Sequence, residues 1–144
     1  MRSLLLAVLI VLIAQVTVAA PPCVRYPKGK APATHALPLC EEKPSGNVDP
    51  LQRIAEMRKT LPVPADWHFF LVTEADWRKI QLGTHSAYSN LAYKTTFIRE
   101  SYVESVQDDK LRHTIAHEMG HARCQCTDES TADRIADQLT QDSQ

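Results

Sequence analysis

Two histidines four residues apart restrict the possible structures of this chain more than any other feature of its sequence. His117, Glu118 and His121 form the pattern H-E-x-x-H. Residues four apart on an α-helix share one face, so both imidazole rings can reach a single metal ion. Imidazole is a good zinc ligand, and a glutamate beside the first histidine can serve as a general base. The pattern therefore predicts a partly buried helix that carries a zinc site.

An acidic pair downstream supplies what this predicted site still lacks. A catalytic zinc ion usually takes three protein ligands and keeps its fourth position for water. Glu129 lies eight residues after His121 and can provide the third ligand from the start of a following helix. Asp133 is one turn further along the same face. Its carboxylate can accept the free N–H of a zinc-bound histidine and fix the orientation of that ring.

The two patterns together resemble the gluzincin metallopeptidases, in which H-E-x-x-H is followed by E-x-x-x-D on a second helix. The resemblance covers roughly the last third of the chain. It implies that His117, His121 and Glu129 bind zinc. It also implies that Glu118 is the catalytic base in a hydrolysis of peptide bonds by a zinc-activated water, within a zincin-like fold.

The spacer between the two patterns and the residues within it distinguish this chain from several families of zinc peptidases. It is shorter than in the larger gluzincin families. Metzincins and aspzincins also have short spacers, but they place glycine three residues after the second histidine and histidine or aspartate three further on. Cys124 and Thr127 occupy those positions here. Both families are therefore disfavoured, and Asp128 is kept as an alternative third ligand.

The first 20 residues predict export. Arg2, an apolar run over residues 4–14 and the small residues Ala19 and Ala20 follow the order of a signal peptide. The alternative is an uncleaved anchor, although the run is short for a membrane span. We therefore expect a secreted or periplasmic protein without stable membrane association after signal cleavage. The net charge of −1 and the lack of a basic patch in the sequence argue against nucleic acid as a partner.

The four cysteines, Cys23, Cys40, Cys124 and Cys126, predict two disulfides in an exported chain. A bond between Cys124 and Cys126 would close a strained loop, so Cys23 and Cys40 are each expected to pair with one of them, in either order. Two alternatives remain. In the first alternative, the thiolates of Cys124 and Cys126 bind zinc. In the second, the thiolate of Cys23 inhibits the site as a cysteine switch.

Proline separates the chain into an arm and a domain. Residues 21–48 hold six of the nine prolines and have no hydrophobic period, which predicts an extended arm that is either tethered or removed as a propeptide. Residues 49–144 then form one α+β, zincin-like domain with a short antiparallel sheet, the H-E-x-x-H helix and a C-terminal glutamate helix.

Hydrophobic periodicity and turn residues predict the elements of that domain. A helix begins at Asp49–Pro50 and ends near Thr60, and residues 67–73 form a buried strand. Residues 83–98 form a hairpin that turns at residues 89–90. The family resemblance makes residues 93–98 the edge that binds substrate, and an ordinary sheet strand is the alternative. Asp108 or Asp109 caps the motif helix, and the last helix ends near Gln141.

These observations predict an exported zinc metallopeptidase with a peptide or protein substrate. The alternative is an exported, disulfide-stapled binding or inhibitor protein with a structural zinc site. His68 is expected to be structural rather than a ligand. His113 is expected to pack at the edge of the motif helix, and a supporting role beside the site is the alternative. Three tyrosines are candidates to stabilise the oxyanion, without a choice among them: Tyr88, Tyr93 and Tyr102.

Overall fold

Helices and a small sheet alternate along the chain in a computed structural model, which describes residues 23–26, 37–40 and 49–141. The predicted α+β class is confirmed. The predicted signal peptide lies outside the described residues. In chain order the elements are α1 (Pro50–Lys59), β1 (His68–Val72), α2 (Glu74–Lys79), β2 (Ala87–Asn90), β3 (Thr95–Arg99), α3 (Glu100–Ser105), α4 (Asp108–Cys124) and α5 (Glu129–Gln141).

The three strands form a mixed sheet in the order β1-β3-β2. Strand β2 pairs antiparallel with β3, whereas β1 pairs parallel with it. The expectation of an antiparallel sheet is therefore wrong for one of the two pairs. The physical reason is the connection: a short turn joins β2 to β3, but α2 and β2 intervene between β1 and β3 and return the chain in the same direction.

The hairpin turn lies further along the chain than residues 89–90, where the sequence places it. Ser89 and Asn90 belong to β2, and the chain reverses over residues 91–94. The side chain of Asn90 accepts a hydrogen bond from the backbone N–H of Tyr93, and Lys94 takes a left-handed conformation with φ 50°. Strand β3 is paired on both sides, so the prediction that residues 93–98 form a substrate-binding edge is wrong.

Each face of the sheet is buried against different elements. The face toward the helices carries Phe69, Leu71 and Ile98, which pack with Ile115 and Met119 of α4. The opposite face buries a smaller cluster around Phe70, Val72, Trp77 and Phe97, joined by Val24 of the arm. Side chains alternate between faces along a strand, so Ser89 of β2 and Thr96 of β3, which are register partners, both lie on the helix side.

The described parts of the Pro-rich arm are non-helical and pair with the sheet. Arg25 and Leu71 of β1 exchange backbone hydrogen bonds of 2.7 and 3.0 Å, and Val24 is fully buried. Leu39 forms a bridge with Val24, and a disulfide joins Cys23 to Cys40. The arm therefore covers the outer edge of β1, the strand on the far side of the sheet from β2.

Helices α4 and α5 pack closely because Gly120 faces Ala132. A Cβ atom added at Gly120 would lie 2.5 Å from the carbonyl oxygen of Ala132. The apolar stripe of α5 predicted from the sequence is buried in this contact: Ala132, Ile135, Ala136 and Leu139. No helix in the described ranges is long and apolar enough to cross a membrane.

Candidate metal centre

Three polar groups from α4 and α5 meet at one point beside the sheet. His117 Nε2 lies 3.1 Å from His121 Nε2 and 3.0 Å from Glu129 Oε2, and His121 Nε2 lies 3.7 Å from the same oxygen. The two histidines are on one face of α4, four residues apart, and Glu129 is the first residue of α5. The structure thus brings together the three residues that the sequence selected as ligands.

The outer nitrogen of each imidazole is bonded to an acceptor. His117 Nδ1 lies 2.7 Å from Asp133 Oδ1, as the spacing on α5 predicted, and His121 Nδ1 lies 3.0 Å from the backbone oxygen of Cys126. A carboxylate or a carbonyl oxygen accepts, so both Nδ1 atoms carry the proton. In the neutral imidazole each Nε2 then has a lone pair directed at the cluster, which is the arrangement of a metal-ligating histidine.

A cleft of about 200 Å³ opens onto this cluster and contains Glu118. Burial raises the pKa of the Glu118 carboxyl, and the nearby Ser89 hydroxyl and the two neighbouring histidines oppose that rise. Only 6% of Glu118 is exposed. The remaining lining residues come from β2, from the residues that flank it and from the α4–α5 loop: His85, Ala87, Tyr88, Ser89, Leu91, Cys126 and Thr127.

The loop between the two helices closes on itself through a disulfide between Cys124 and Cys126. The expectation that these two residues bond to Cys23 and Cys40 is therefore wrong. Gln125 between them takes a left-handed conformation with φ 52°, which reverses the chain and brings the two Cα atoms to 5.1 Å. That separation lies within the ordinary disulfide range, so the short loop closes without the obstacle expected from the sequence.

The disulfides also contradict both thiolate alternatives. Cys124 and Cys126 are bonded to each other, so their sulfurs are not zinc ligands. Cys23 is bonded to Cys40 and is not the thiolate of a cysteine switch. Among the described residues, one further cluster of three ligand-type groups is present, and it combines the bonded sulfurs of Cys23 and Cys40 with Asp76. The described parts of the arm do not line the cleft.

Asp128, the alternative third ligand, has a structural role instead. Its carboxylate accepts hydrogen bonds from the backbone of Thr131 and the hydroxyl of Ser130, at 2.8 and 2.9 Å. The bonds from Thr131 and Ser130 lower the pKa of Asp128. This residue therefore caps α5 and fixes where Glu129 begins the helix.

His68 and His113, the two histidines that the sequence analysis considered besides the proposed ligands, lie away from the cluster. His68 at the start of β1 bonds through Nδ1 to the hydroxyl of Tyr26, and burial lowers its pKa. His113 lies one turn before His117 and is 3.4 Å from Asp137 of α5, on an exposed surface. The structural interpretation of His68 is confirmed. His113 lies at the exposed edge of α4 beside Asp137 and does not contact the cluster.

One of the three candidate tyrosines lines the cleft. Tyr88 does so from β2, whereas the hydroxyl of Tyr102 lies 2.7 Å from that of Thr114 and Tyr93 is exposed in the hairpin turn. Nothing in the sequence selects Ser89 or the backbone of Cys126 as part of the site. Ser89 was assigned to a turn, and a backbone carbonyl has no signature in a sequence.

Comparison of this chain with protein-family models, with curated protein sequences and with solved structures finds no match.

Proposed function

We propose that this protein is an exported zinc metallopeptidase with a zincin-like domain, in which His117, His121 and Glu129 hold the metal. The observation that carries the proposal is the convergence of two imidazole lone pairs and a carboxylate oxygen at one point. In the neutral rings the proton is on Nδ1, so no proton lies between the two Nε2 atoms. Such groups repel one another unless a cation lies between them.

The separations among the three groups suit zinc. Tetrahedral ligands at about 2.0–2.1 Å from zinc lie about 3.3–3.4 Å from one another. The observed separations of 3.0, 3.1 and 3.7 Å bracket that value. Two imidazoles and one carboxylate are also a typical donor set of catalytic zinc, which keeps its remaining position open. The cleft in front of the cluster gives a substrate access to that position.

Glu118 is suited to act as the general base. A zinc ion in this site would polarise the scissile carbonyl and lower the pKa of the attacking water. Glu118 lines the same cleft, where it would accept the proton of the attacking water and deliver it to the leaving amine. Burial raises the pKa of its carboxyl toward the value at which a carboxylate both takes up and releases a proton readily.

The outer edge of β2 is suited to bind an extended peptide. Within the described ranges β2 pairs only with β3, so the backbone groups along its other edge have no partner strand. Ala87, Tyr88 and Ser89 of this strand line the cleft. A peptide that adds to this edge by main-chain hydrogen bonds would pass in front of Glu118 and the metal ligands.

The decisive experiment combines metal analysis with hydrolysis of an unfolded protein. We expect about one zinc ion per chain in the wild type and a loss of zinc in His121→Ala. Glu118→Gln should retain the metal and lose hydrolysis by on the order of 10²–10⁴-fold, because only the proton transfer is removed. Glu104→Gln on α3, an exposed glutamate outside the cleft, is the matched control and should behave as the wild type. Full turnover by Glu118→Gln would reject the proposed mechanism.

The same experiment distinguishes the alternative of a binding or inhibitor protein with a structural zinc site. Such a protein would hold zinc in the wild type without chelator-sensitive hydrolysis. Structural zinc usually has four protein ligands. The cluster beside the cleft has three such groups among the residues that the structure describes, which favours the enzyme.

A further inference from the structure

The backbone carbonyl that bonds to His121 lies in the connection between the two helices that carry the proposed ligands. Helix α4 ends at Cys124 and α5 begins at Glu129. His121 Nδ1 lies 3.0 Å from the oxygen of Cys126, a residue of this connection. In a continuing helix that carbonyl would point along the axis and away from the ring, because helical side chains lean toward the N-terminus. The bond therefore requires the chain to turn back directly after α4.

A left-handed residue and a disulfide together make this turn. Gln125 has φ 52°, a conformation that glycine usually supplies after a helix because a side chain makes it costly. The bond between Cys124 and Cys126 spans Gln125 and holds its two neighbours together. Cys124 also packs against the main core of the domain. The disulfide therefore ties the Cys126 backbone to a fixed point at the end of α4.

We propose that Cys124 and Cys126 are positioning residues, whose disulfide holds the Cys126 carbonyl against Nδ1 of His121. The inference rests on the proposed zinc site. With this acceptor fixed, the ring proton stays on Nδ1, and Nε2 faces the other two proposed ligands, His117 and Glu129. Without the disulfide, nothing covalent holds the turn, and the ring loses the acceptor that selects its orientation.

A purely structural role predicts a different result. In the chain-entropy model a disulfide stabilises the fold by restricting the unfolded chain, and the effect grows with the length of the closed loop. Cys124 and Cys126 are 2 residues apart in sequence, whereas Cys23 and Cys40 are 17 apart. The shorter loop should therefore contribute less to stability, although it lies beside the proposed metal. The two disulfides of this chain form a matched pair for separating an effect on the fold from an effect on the site.

The first experiment removes each disulfide in turn from the mature chain. We expect Cys124→Ser/Cys126→Ser to weaken zinc binding about 10- to 100-fold, the usual cost of losing the partner of a ligating histidine. The backbone carbonyl is still present in this variant, so the loss reflects its position alone. The control Cys23→Ser/Cys40→Ser should lower the melting temperature more and keep its zinc affinity within about twofold of the wild type. A loss of zinc affinity below about twofold in Cys124→Ser/Cys126→Ser would overturn the proposal.

A measurement on the zinc-free chain tests the orientation of the ring directly. The nitrogen NMR resonances of a neutral imidazole show which ring nitrogen carries the proton. At about pH 9, above the range in which imidazole titrates, we expect the proton of wild-type His121 on Nδ1. In Cys124→Ser/Cys126→Ser we expect a mixture of the two tautomers. His117 keeps its acceptor, Asp133, and is the internal control. The same His121 spectrum in both chains would overturn the proposal.

Reversible reduction covers the case in which the double variant does not fold. In Cys23→Ser/Cys40→Ser one disulfide remains, and a phosphine with water converts it to two thiols while the phosphine becomes its oxide. A small disulfide reagent then restores the bond and is itself reduced to two thiols. The zinc-free His121 spectrum should change on reduction and return on reoxidation, and a spectrum that does not respond would overturn the proposal. A wild type that binds no zinc would reject the proposed metal site instead, and this spectrum would still decide whether the disulfide orients the ring.

Discussion

The ring nitrogen that faces away from the cluster determines what each histidine can do. His117 relies on a side chain, the carboxylate of Asp133, whereas His121 relies on the backbone carbonyl of Cys126. Removal of either acceptor would free the ring to rotate or to move its proton to Nε2, where a metal would otherwise bind. A point mutation can remove the first acceptor but not the second.

Asp133→Ala should therefore weaken zinc binding by about 10- to 100-fold, the usual cost of losing a partner of a ligating histidine. Asp137→Ala is the matched control, since Asp137 is one turn further along α5 and faces His113 outside the cluster. Competition with a chromophoric chelator measures both affinities. An equal loss in the two variants would point to the net charge of α5 rather than to ring orientation.

At this scale the sequence predicts the residues whose spacing is set within one helix. His117 and His121 share a face of α4, and Glu129 and Asp133 share a face of α5, because four residues make about one helical turn. Ser89 was missed because its position next to Glu118 depends on the register between β2 and β3. That register is a long-range property, and the residues near the turn do not reveal it.

Among the elements, the approach of α4 to α5 sets the distance between the histidines and Glu129. Gly120 lies inside the H-E-x-x-H pattern, and the absence of a side chain there lets the backbone of Ala132 come close. A larger residue would separate the helices at the level of the proposed ligands. The glycine is therefore a requirement of the site as well as of the packing.

Gly120→Ala should lower the melting temperature and weaken zinc binding by about tenfold or more, because overpacking costs about 1–3 kcal/mol and acts on the ligand spacing. Gly83→Ala is the control. Gly83 has φ 60° and no atom within 4 Å of an added Cβ, so this variant should lose roughly 1–2 kcal/mol of stability through backbone strain and keep its zinc affinity. Calorimetry and the chelator assay separate the two effects, and unchanged zinc affinity in Gly120→Ala would contradict this interpretation.

Element boundaries followed from local signals, but strand order did not. Asp49 caps α1 through a bond to the backbone of Leu51, as predicted, and Thr60 ends it. Helix α3 was missed because its six residues bury only Val103 and show no periodic stripe. The central position of β3 was missed because it depends on pairing with β1, some 27 residues earlier in the chain.

Across the whole molecule, ion pairs connect elements that are distant in sequence. Glu74 at the start of α2 accepts hydrogen bonds from Arg99 at the end of β3 and from Ser101 of α3. Glu100 pairs with Arg25 of the arm. These contacts join the arm, the sheet and the two short helices α2 and α3.

This network predicts a pH dependence of stability. Bonds from Arg99 and Ser101 hold the pKa of Glu74 below its usual range in the folded chain. The unfolded chain therefore binds a proton first as the pH falls, and the stabilisation is lost as the pH falls through the lowered pKa. Melting temperature should decline more steeply in the wild type than in Glu74→Gln between about pH 6 and about pH 3, and Glu104→Gln should keep the wild-type slope. Parallel slopes in the wild type and Glu74→Gln would count against the assignment.

The bond between Cys23 and Cys40 bears on how the chain matures. A protease that nicks the polypeptide between residues 27 and 36 leaves both fragments covalently joined, because the two cysteines flank the cut. Residues 24 and 25 would also stay anchored, one by burial and the other by its bonds to β1. A cut between residues 27 and 36 therefore cannot release the N-terminal piece of the arm, whereas a cut between Cys40 and α1 would free both cysteines together.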